Sequence, residues 1–302
     1  MQTASISVVI PTHDRPAALD ACLAALGAQT VRSEQFEVVV VDDGGSFEVA
    51  DVVDRHQSSL RISLSRRAHA GPASARNAGA KLAQGEVLAF TDDDCVPDPD
   101  WLATIATAVK RSPGCMVGGR TENALSDNRY SEASQAVIAY MYADGLRRTG
   151  ELPFVTSNNL ALEHELFDTL EGFDPSFPDA AAEDRDLSAR CTSSGGSLVY
   201  EPAALVRHAH PLDLSTLLRQ YVAYGRGARR MAHKTPGLRS PGFYARMLIE
   251  PYRRHSPGQA VVVASLIALT QIGTAIGYAS GSGPRTTPDP GQKPRPEQDR
   301  PA

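Results

Sequence analysis

Residues Phe90 to Asp94 read Phe-Thr-Asp-Asp-Asp, so the run Glu86-Val-Leu-Ala-Phe-Thr91 ends in three consecutive carboxylates. A run of that length bounded by Gly85 reads as a buried parallel strand. Open α/β sheets seat their ligands at the carboxyl ends of strands. Three adjacent acids repel one another, so a fold must spread them apart or neutralise them. A hard divalent cation carrying a phosphorylated ligand would do this. The plainer use of the same residues is an acidic turn that caps a helix starting near Pro99. A second strand end carries Asp42 and Asp43, after Phe36-Glu-Val-Val-Val-Val41 and ahead of Gly44, Gly45 and Ser46. Further along, Glu183, Asp184 and Asp186 open a helical stretch containing Arg190. His208 and His210 sit two apart, where a strand turns both imidazoles to one face. An H-x-H pair beside acids also suits a metallohydrolase, but no further His/Asp pattern supports that chemistry.

The elements must bring these groups together. Ser5 to Ile10 reads as a first strand ending in Pro11-Thr12-His13-Asp14-Arg15-Pro16. A helix follows, with Leu19, Cys22, Leu23 and Leu26 on one face and Pro16 near its first turn. Arg61 to Ser65 is a short third strand, and Pro72 to Ala83 a helix closed by Gly85. Strand, helix, strand, helix, strand argues a doubly wound, mostly parallel α/β sheet. In such a sheet the ends carrying Pro11/Thr12, Asp42/Asp43 and Asp92 to Asp94 could converge on one nucleotide pocket. Neither G-x-G-x-x-G nor G-x-x-x-x-G-K-[ST] occurs, which argues against a dinucleotide or P-loop site.

Val8-Val-Ile-Pro-Thr12, Val40-Val-Asp-Asp-Gly-Gly45, Ala75-Arg-Asn-Ala-Gly79 and Asp92-Asp-Asp94 resemble the nucleotide half of the family 2 glycosyltransferases. Ser157-Asn-Asn159, Gly172-Phe-Asp174, Glu183-Asp-Arg-Asp-Leu187, Arg190 and Val206-Arg-His-Ala-His210 resemble the second half. The likeness runs from about Ser5 to His210, in the family's order and approximate spacing. It implies the GT-A fold, a doubly wound, mostly parallel sheet in an α/β/α sandwich. The implied activity is transfer of a sugar from a nucleoside diphosphate sugar, UDP-linked on family grounds, with inversion at the anomeric carbon. Pro11, Thr12 and Asp43 then match nucleotide-contacting positions, with Asp42 the alternative to Asp43. A turn residue with a satisfied hydroxyl is the plainer reading of Thr12. Arg76 matches a position near the nucleotide, against a solvated helix arginine, and Asn77 braces the loop. Asp92 and Asp93 match donor-holding positions. Asp94 matches a ligand of Mg²⁺ or Mn²⁺ between the diphosphate oxygens, with Asp92 and His208 completing the shell; a satisfied histidine is the alternative for His208. Such an ion offsets charge developing on the departing diphosphate. The family's general base falls on Asp184, beside Glu183, where adjacent acids in a partly dry cleft could raise one pKa toward working pH. A first helical turn enriched in acids is also common without catalysis. Ala180-Ala-Ala182 stands where the family has glycines, which puts the mobility of the acceptor loop in question.

Composition suits a large core, with 42% hydrophobic residues. Cys22, Cys95, Cys115 and Cys191 show no C-x-x-C spacing and read as reduced thiols of a cytoplasmic protein. No secretory signal precedes the first strand. Charge is uneven: the chain carries −5, but Arg219 to Arg254 holds nine basic residues against Glu250, a net +8, leaving −13 elsewhere. Ala260 to Ala279 follows, twenty uncharged residues, about the length that spans a hydrocarbon core. Arg253 and Arg254 at its edge fit a cytoplasmic flank; a helix docked on the domain or lying in the interface is the alternative. The expected plan is a GT-A domain over 1–215, a basic helical extension over 216–255, a hydrophobic helix and possible membrane anchor over 259–279, and a disordered tail over 280–302. The expected place is the inner face of the cell membrane. The expected partners are a nucleoside diphosphate sugar and a glycan, lipid-linked or small-molecule acceptor, with possible membrane association through 219–279 and no nucleic acid. The Gln-x-x-Arg-Trp motif of processive members is absent from Arg219 to Gly227, which favours single transfer over polysaccharide synthesis. A non-catalytic nucleotide-sugar or carbohydrate-binding protein of the same fold is the alternative, and the intact carboxylates argue against it.

Overall fold

The β-branched runs become neighbouring strands of one mixed sheet. A computed structural model describes residues 5–177, 181–232 and 239–281; Ala180, Lys234 and the tail from 282 lie outside the described residues. In chain order the elements are β1 (Ile6–Thr12), α1 (Pro16–Gly27), β2 (Phe36–Asp42), α2 (Ala50–His56), β3 (Ile62–Arg66), α3 (Pro72–Leu82), β4 (Val87–Thr91), β5 (Cys95–Pro97), α4 (Trp101–Arg111), β6 (Met116–Asn123), α5 (Arg129–Thr149), β7 (Asn159–Glu163), α6 (His164–Thr169), α7 (Glu183–Ser193), β8 (Leu198–His208), α8 (Leu214–Arg230), α9 (Pro241–Ile249) and α10 (Pro257–Ser280). Prolines open α1, α3, α9 and α10, where no intrahelical N–H is needed and the fixed φ suits the helix.

The strand order is β3-β2-β1-β4-β7-β6-β8-β5. β3, β2, β1 and β4 run parallel, as a doubly wound half requires. β7 runs antiparallel between β4 and β6, β8 is parallel to β6, and β5 is antiparallel to β8. Register sets Thr12 level with Asp42 and Val9 level with Phe90, so β1, β2 and β4 end at one edge. Cys95 pairs with His208, which brings the end of β8 against the residues that follow the three acids.

Alternation along the strands makes the sandwich. Val8, Ile10, Val87 and Ala89 face one core with Leu19, Leu23 and Trp101. Val9, Leu88 and Phe90 face the other with Phe167 and Phe173. The face expected for α1, Leu19, Cys22, Leu23 and Leu26, is buried. All four cysteines are free thiols.

The C-terminal helices form a layer on this sandwich. Leu217 and Tyr221 of α8, Met247 of α9 and Ile267 of α10 share a core with Val137 and Tyr140 of α5. Backbones touch between α8 and α10: a Cβ on Gly277 would lie 2.0 Å from the Val222 carbonyl oxygen, and one on Gly225 would lie 2.1 Å from that of Thr274. The apolar stretch is thus a helix of 24 residues, long and apolar enough by composition to cross a membrane, with one face docked on α8 and α5.

Candidate active site

The acids after β4 are spread in three directions. Asp92 accepts from Arg76 Nη2 at 2.6 Å. Asp93 is fully buried and accepts from Thr12 Oγ1 at 2.7 Å and Arg15 Nε at 3.2 Å, with Arg15 Nη2 2.6 Å from its other oxygen. Asp94 accepts from Arg15 Nη1 at 2.6 Å and meets His208 Nε2 at 3.1 Å and His210 Nδ1 at 3.3 Å. Two arginines of the chain therefore already offset the repulsion that the sequence suggested an ion would relieve. Burial pushes the Asp93 carboxyl up to about 7 in spite of Arg15. Burial acts the same way on Asp94, but hydrogen bonds from His208 and His210 and the charges of His208 and Arg15 hold it well below the usual carboxylate range. His208 is raised in turn: burial lowers it, but the bond to Asp94 and the charges of Asp94 and Asp92 together outweigh burial.

Pro11 and Thr12 end β1 in the buried layer. Thr12, with 2% of its surface exposed, commits its hydroxyl to Asp93, as the plainer reading has it. Asp42 and Asp43 divide the work at the end of β2. Asp42 accepts from the Gly45 N–H at 3.0 Å and pairs with Arg66 Nε at 3.2 Å, bracing its own turn. Asp43 reaches across to the loop before α3, accepting from the Ala70 and Gly71 N–H groups at 3.1 and 2.8 Å and facing His69 Nδ1 at 2.9 Å. His13 and His69 lie beside it with ring centroids 4.7 Å apart.

Arg76 is 2% exposed, so it is not a solvated helix arginine. Its Nη1 reaches Glu183 Oε1 at 3.1 Å while Nη2 holds Asp92. One guanidinium on α3 thus ties the end of β4 to the first residue of α7. Asn77 braces the neighbouring turn, donating to the Phe173 carbonyl at 2.7 Å and accepting from its N–H at 2.9 Å. Burial, helped by Asp184, pushes Glu183 up to about 7 although Arg76 pulls the other way. Burial also raises Asp184, against the Arg185 charge and the Arg185 N–H that donates to it at 2.7 Å. The helix starts there because Ala182 turns the chain with φ +79°, a left-handed conformation costing an L-residue about 1–2 kcal/mol. The alanine at the expected glycine site has a glycine's backbone. Gly227 of α8 makes room for this turn, since a Cβ on it would lie 2.4 Å from the Ala181 carbonyl oxygen.

A cleft opens beside these groups. Asp92, Arg76, Glu183, Asp184 and His208 line it, together with Ser134 and Gln135 of α5 and Gln220 and Tyr224 of α8. Thr121 Oγ1, Asn158 Oδ1 and Gln220 Oε1 also belong to residues lining it, and each is buried without a hydrogen-bond partner among the described residues. A buried polar atom left unpaired costs about 1–3 kcal/mol, so these atoms are suited to a ligand rich in hydroxyls. Asn158 lies in the turn before β7 and Gln220 on α8, and neither position shows from sequence alone which way its amide points.

A divalent ion has a donor set to bind. Among the described residues, Asp94, Cys95 and His208 bring one ligand atom each within 4.8 Å of one another. Asp94 Oδ1 is buried with His208 Nε2 3.1 Å away. A carboxylate and an imidazole, with diphosphate oxygens to complete the shell, suit Mg²⁺ or Mn²⁺. The Cys95 thiol is buried and pushed well above its ordinary pKa, which makes it a poor partner for a hard ion. Asp92, expected to share the ion, stands outside this cluster with Oδ1 held by Arg76.

The sequence matches the profile of Glycosyl transferase family 2 over residues 7–170, more than half of the chain. A validoxylamine A glucosyltransferase of Streptomyces hygroscopicus subsp. limoneus is 36% identical over 152 residues, 49% of this chain and 34% of that protein. The chain thus spans about a third of that relative's length. Glycosyltransferase AglE of Haloferax volcanii is 29% identical over 231 residues, 74% of this chain and 72% of its own. Among solved structures, mannosyltransferase PcManGT from Pyrobaculum calidifontis, in complex with GDP-Man and Mn²⁺, superposes with a TM-score of 0.65 at 16% identity, covering 93% of this chain and 88% of that one. S. aureus TarS 1–349 in complex with UDP gives 0.56 at 16%, covering 91% and 89%. At such identities these two likenesses are of fold.

Proposed function

Since the chain belongs to Glycosyl transferase family 2, we propose that it moves a sugar from a nucleoside diphosphate sugar to an acceptor hydroxyl, with inversion and with a bound Mg²⁺ or Mn²⁺. Its sandwich is the GT-A fold, and its relatives are glycosyltransferases, which favours an enzyme over a non-catalytic binding protein. The observation that carries the reading is the Arg76 bridge, 2.6 Å to Asp92 and 3.1 Å to Glu183. It fixes the donor acids and the Glu183–Asp184 pair across one cleft.

In this reading the nucleotide lies over the ends of β1 and β2, with Pro11, Thr12 and Asp43 shaping its seat and Asp92 and Asp93 holding the donor side. Asp94 and His208 hold the ion, which when bound offsets negative charge on the departing diphosphate. Asp184 takes the proton of the acceptor hydroxyl as that oxygen attacks the anomeric carbon from the face opposite the leaving group. Its raised pKa makes it a better proton acceptor than an ordinary carboxylate. The Arg76–Glu183 bond fixes the first turn of the helix that carries it. The unpaired oxygens of Thr121, Asn158 and Gln220 accept from acceptor hydroxyls. A single transfer per encounter fits the missing processive motif.

A thermal-shift panel of UDP-, GDP- and dTDP-sugars, each with and without Mn²⁺, tests this reading. Binding to the native state raises its melting point by mass action. One donor should shift it strongly and only with the ion present. Equal shifts with and without Mn²⁺ would remove the metal from the proposal, and no shift with any donor would remove the donor class.

A further inference from the structure

Seven of the ten large apolar side chains exposed among the described residues fall between Ile249 and Ile276. Five are on α10: Val261, Val262, Leu269, Ile272 and Ile276, each 37–56% exposed. Leu269, Ile272 and Ile276 follow the three-and-four spacing of a single helix face. The other face is already used, with Val263 and Ile267 in the core shared with α8 and Gly277 against the Val222 carbonyl. A protein surface rarely leaves an apolar stripe of this kind without a partner.

Charge frames the stripe at both ends. Before α10, the exposed Arg253 and Arg254 outnumber Glu250, which both of them approach, at 3.3 and 3.7 Å. At the far end, the exposed Arg229 lies over the Tyr278 ring at 5.2 Å, and the Arg226 backbone lies beside Gly281. Cations at both ends lack the one-sided bias of a spanning helix. A bilayer crossing would also carry α8, backbone to backbone with α10, into the hydrocarbon together with Arg219 and Arg226, and charged side chains there are strongly unfavourable.

We infer that α10 is an in-plane membrane-docking helix whose Val261–Ile276 stripe enters the surface of an anionic bilayer while the arginines at its two ends meet lipid phosphates. This is the geometry of an interfacial amphipathic element, held rigid by the protein layer behind it. The same α8 that backs α10 presents Gln220 and Tyr224 to the cleft, so docking holds the cleft close to the lipid surface. The inference stands on the C-terminal layer and is independent of the transferase chemistry.

Flotation of the full-length protein with vesicles of phosphatidylcholine, alone or with phosphatidylglycerol, tests it. The protein should float with the anionic vesicles, less with the neutral ones, and less again as salt rises. The combined variant Leu269→Gln, Ile272→Gln, Ile276→Gln changes only exposed positions. It should keep the wild-type melting temperature and donor binding but lose roughly tenfold or more of its vesicle affinity. Arg253→Gln with Arg254→Gln should weaken the preference for anionic lipid. Absence of flotation, or flotation unchanged in the triple variant, overturns the inference. So does a concentration-dependent dimer that the triple variant dissociates without any vesicle binding, which would make the stripe a self-association face. Full-length protein that stays in cell membranes through alkaline carbonate extraction would instead mark a spanning helix, and would equally overturn it.

Discussion

Arg15 sits where three acids would otherwise repel one another, bonded to both Asp93 and Asp94. An arginine in the loop after β1 cannot be assigned to the end of β4 until the fold sets those strands side by side, so its role was not legible. The acids themselves were, because consecutive carboxylates at the end of an apolar strand demand an explanation. Asp94→Asn keeps the side-chain volume and leaves Arg15 paired with Asp93. It should abolish the Mn²⁺-dependent part of donor binding, read by calorimetry, and lower the melting temperature, since Arg15, His208 and His210 lose the charge they face. Asp184→Asn should leave donor affinity intact and lower kcat by roughly 10²–10⁴, the range for loss of a general base; near-normal turnover would move the role to Glu183 or Asp186. Because Asp184 must be ionised to act and its pKa is raised, transfer should increase with pH through that raised value. Stability should move the other way. Glu183 rises from an ordinary 4.5 to about 7 on folding, so the folded state holds a proton that the unfolded chain releases. The associated stabilisation is complete below about 4.5 and is lost as pH rises through about 7. Denaturant titrations of the ligand-free protein across that window should show the decline, and Glu183→Gln should flatten part of it; Asp93, also raised to about 7, contributes to the remainder with Asp184 and His208, which are raised as well.

At the scale of elements, α8 joins the cleft to the C-terminal layer. It offers Gln220 and Tyr224 to the cleft, Gly227 to the turn at Ala181, and Gly225 to α10. A methyl group on Gly277 has no room beside the Val222 carbonyl. Gly277→Ala should therefore destabilise the fold by about 1–3 kcal/mol and raise the acceptor KM as α8 shifts, with donor affinity retained. Gln220→Leu, which removes an unpaired buried oxygen together with the Nε2 bond to Tyr224 Oη at 2.6 Å, should raise the acceptor KM by more than any loss of melting temperature explains. A lower melting temperature with an unchanged KM would mean that the amide serves structure instead. The helical character of 260–279 was legible from its apolar run, but the face it docks was not, because glycine contacts depend on the partner backbone. β6 is hard to read in the sequence for a related reason. Its Gly118-Gly119 pair reads as a break in a strand, yet a Cβ on Gly119 would lie 2.4 Å from the Asn159 side chain, so close packing requires the glycine there.

Across the whole molecule, the family profile ends at residue 170, while the fold likeness to PcManGT covers 93% of the chain at 16% identity. The ends of β1, β2 and β4 were readable because their motifs are local in sequence. The part of the cleft lined by β6, α5 and α8 was not, since those elements lie far apart in sequence and meet only in the fold. Binding alone would not distinguish a transferase from a protein that merely holds a nucleotide sugar, so turnover decides the central claim. The direct measurement is release of nucleoside diphosphate from the donor identified by binding, together with appearance of the sugar on an added glycan or lipid-linked acceptor, followed with Mn²⁺ and after its removal by chelation, for the wild type, Asp94→Asn and Asp184→Asn. The wild type should release diphosphate only with the ion, and both variants should fall by roughly two orders of magnitude or more. Release that persists in both variants, or that is indifferent to the ion, would contradict a metal-dependent transferase working through Asp94 and Asp184.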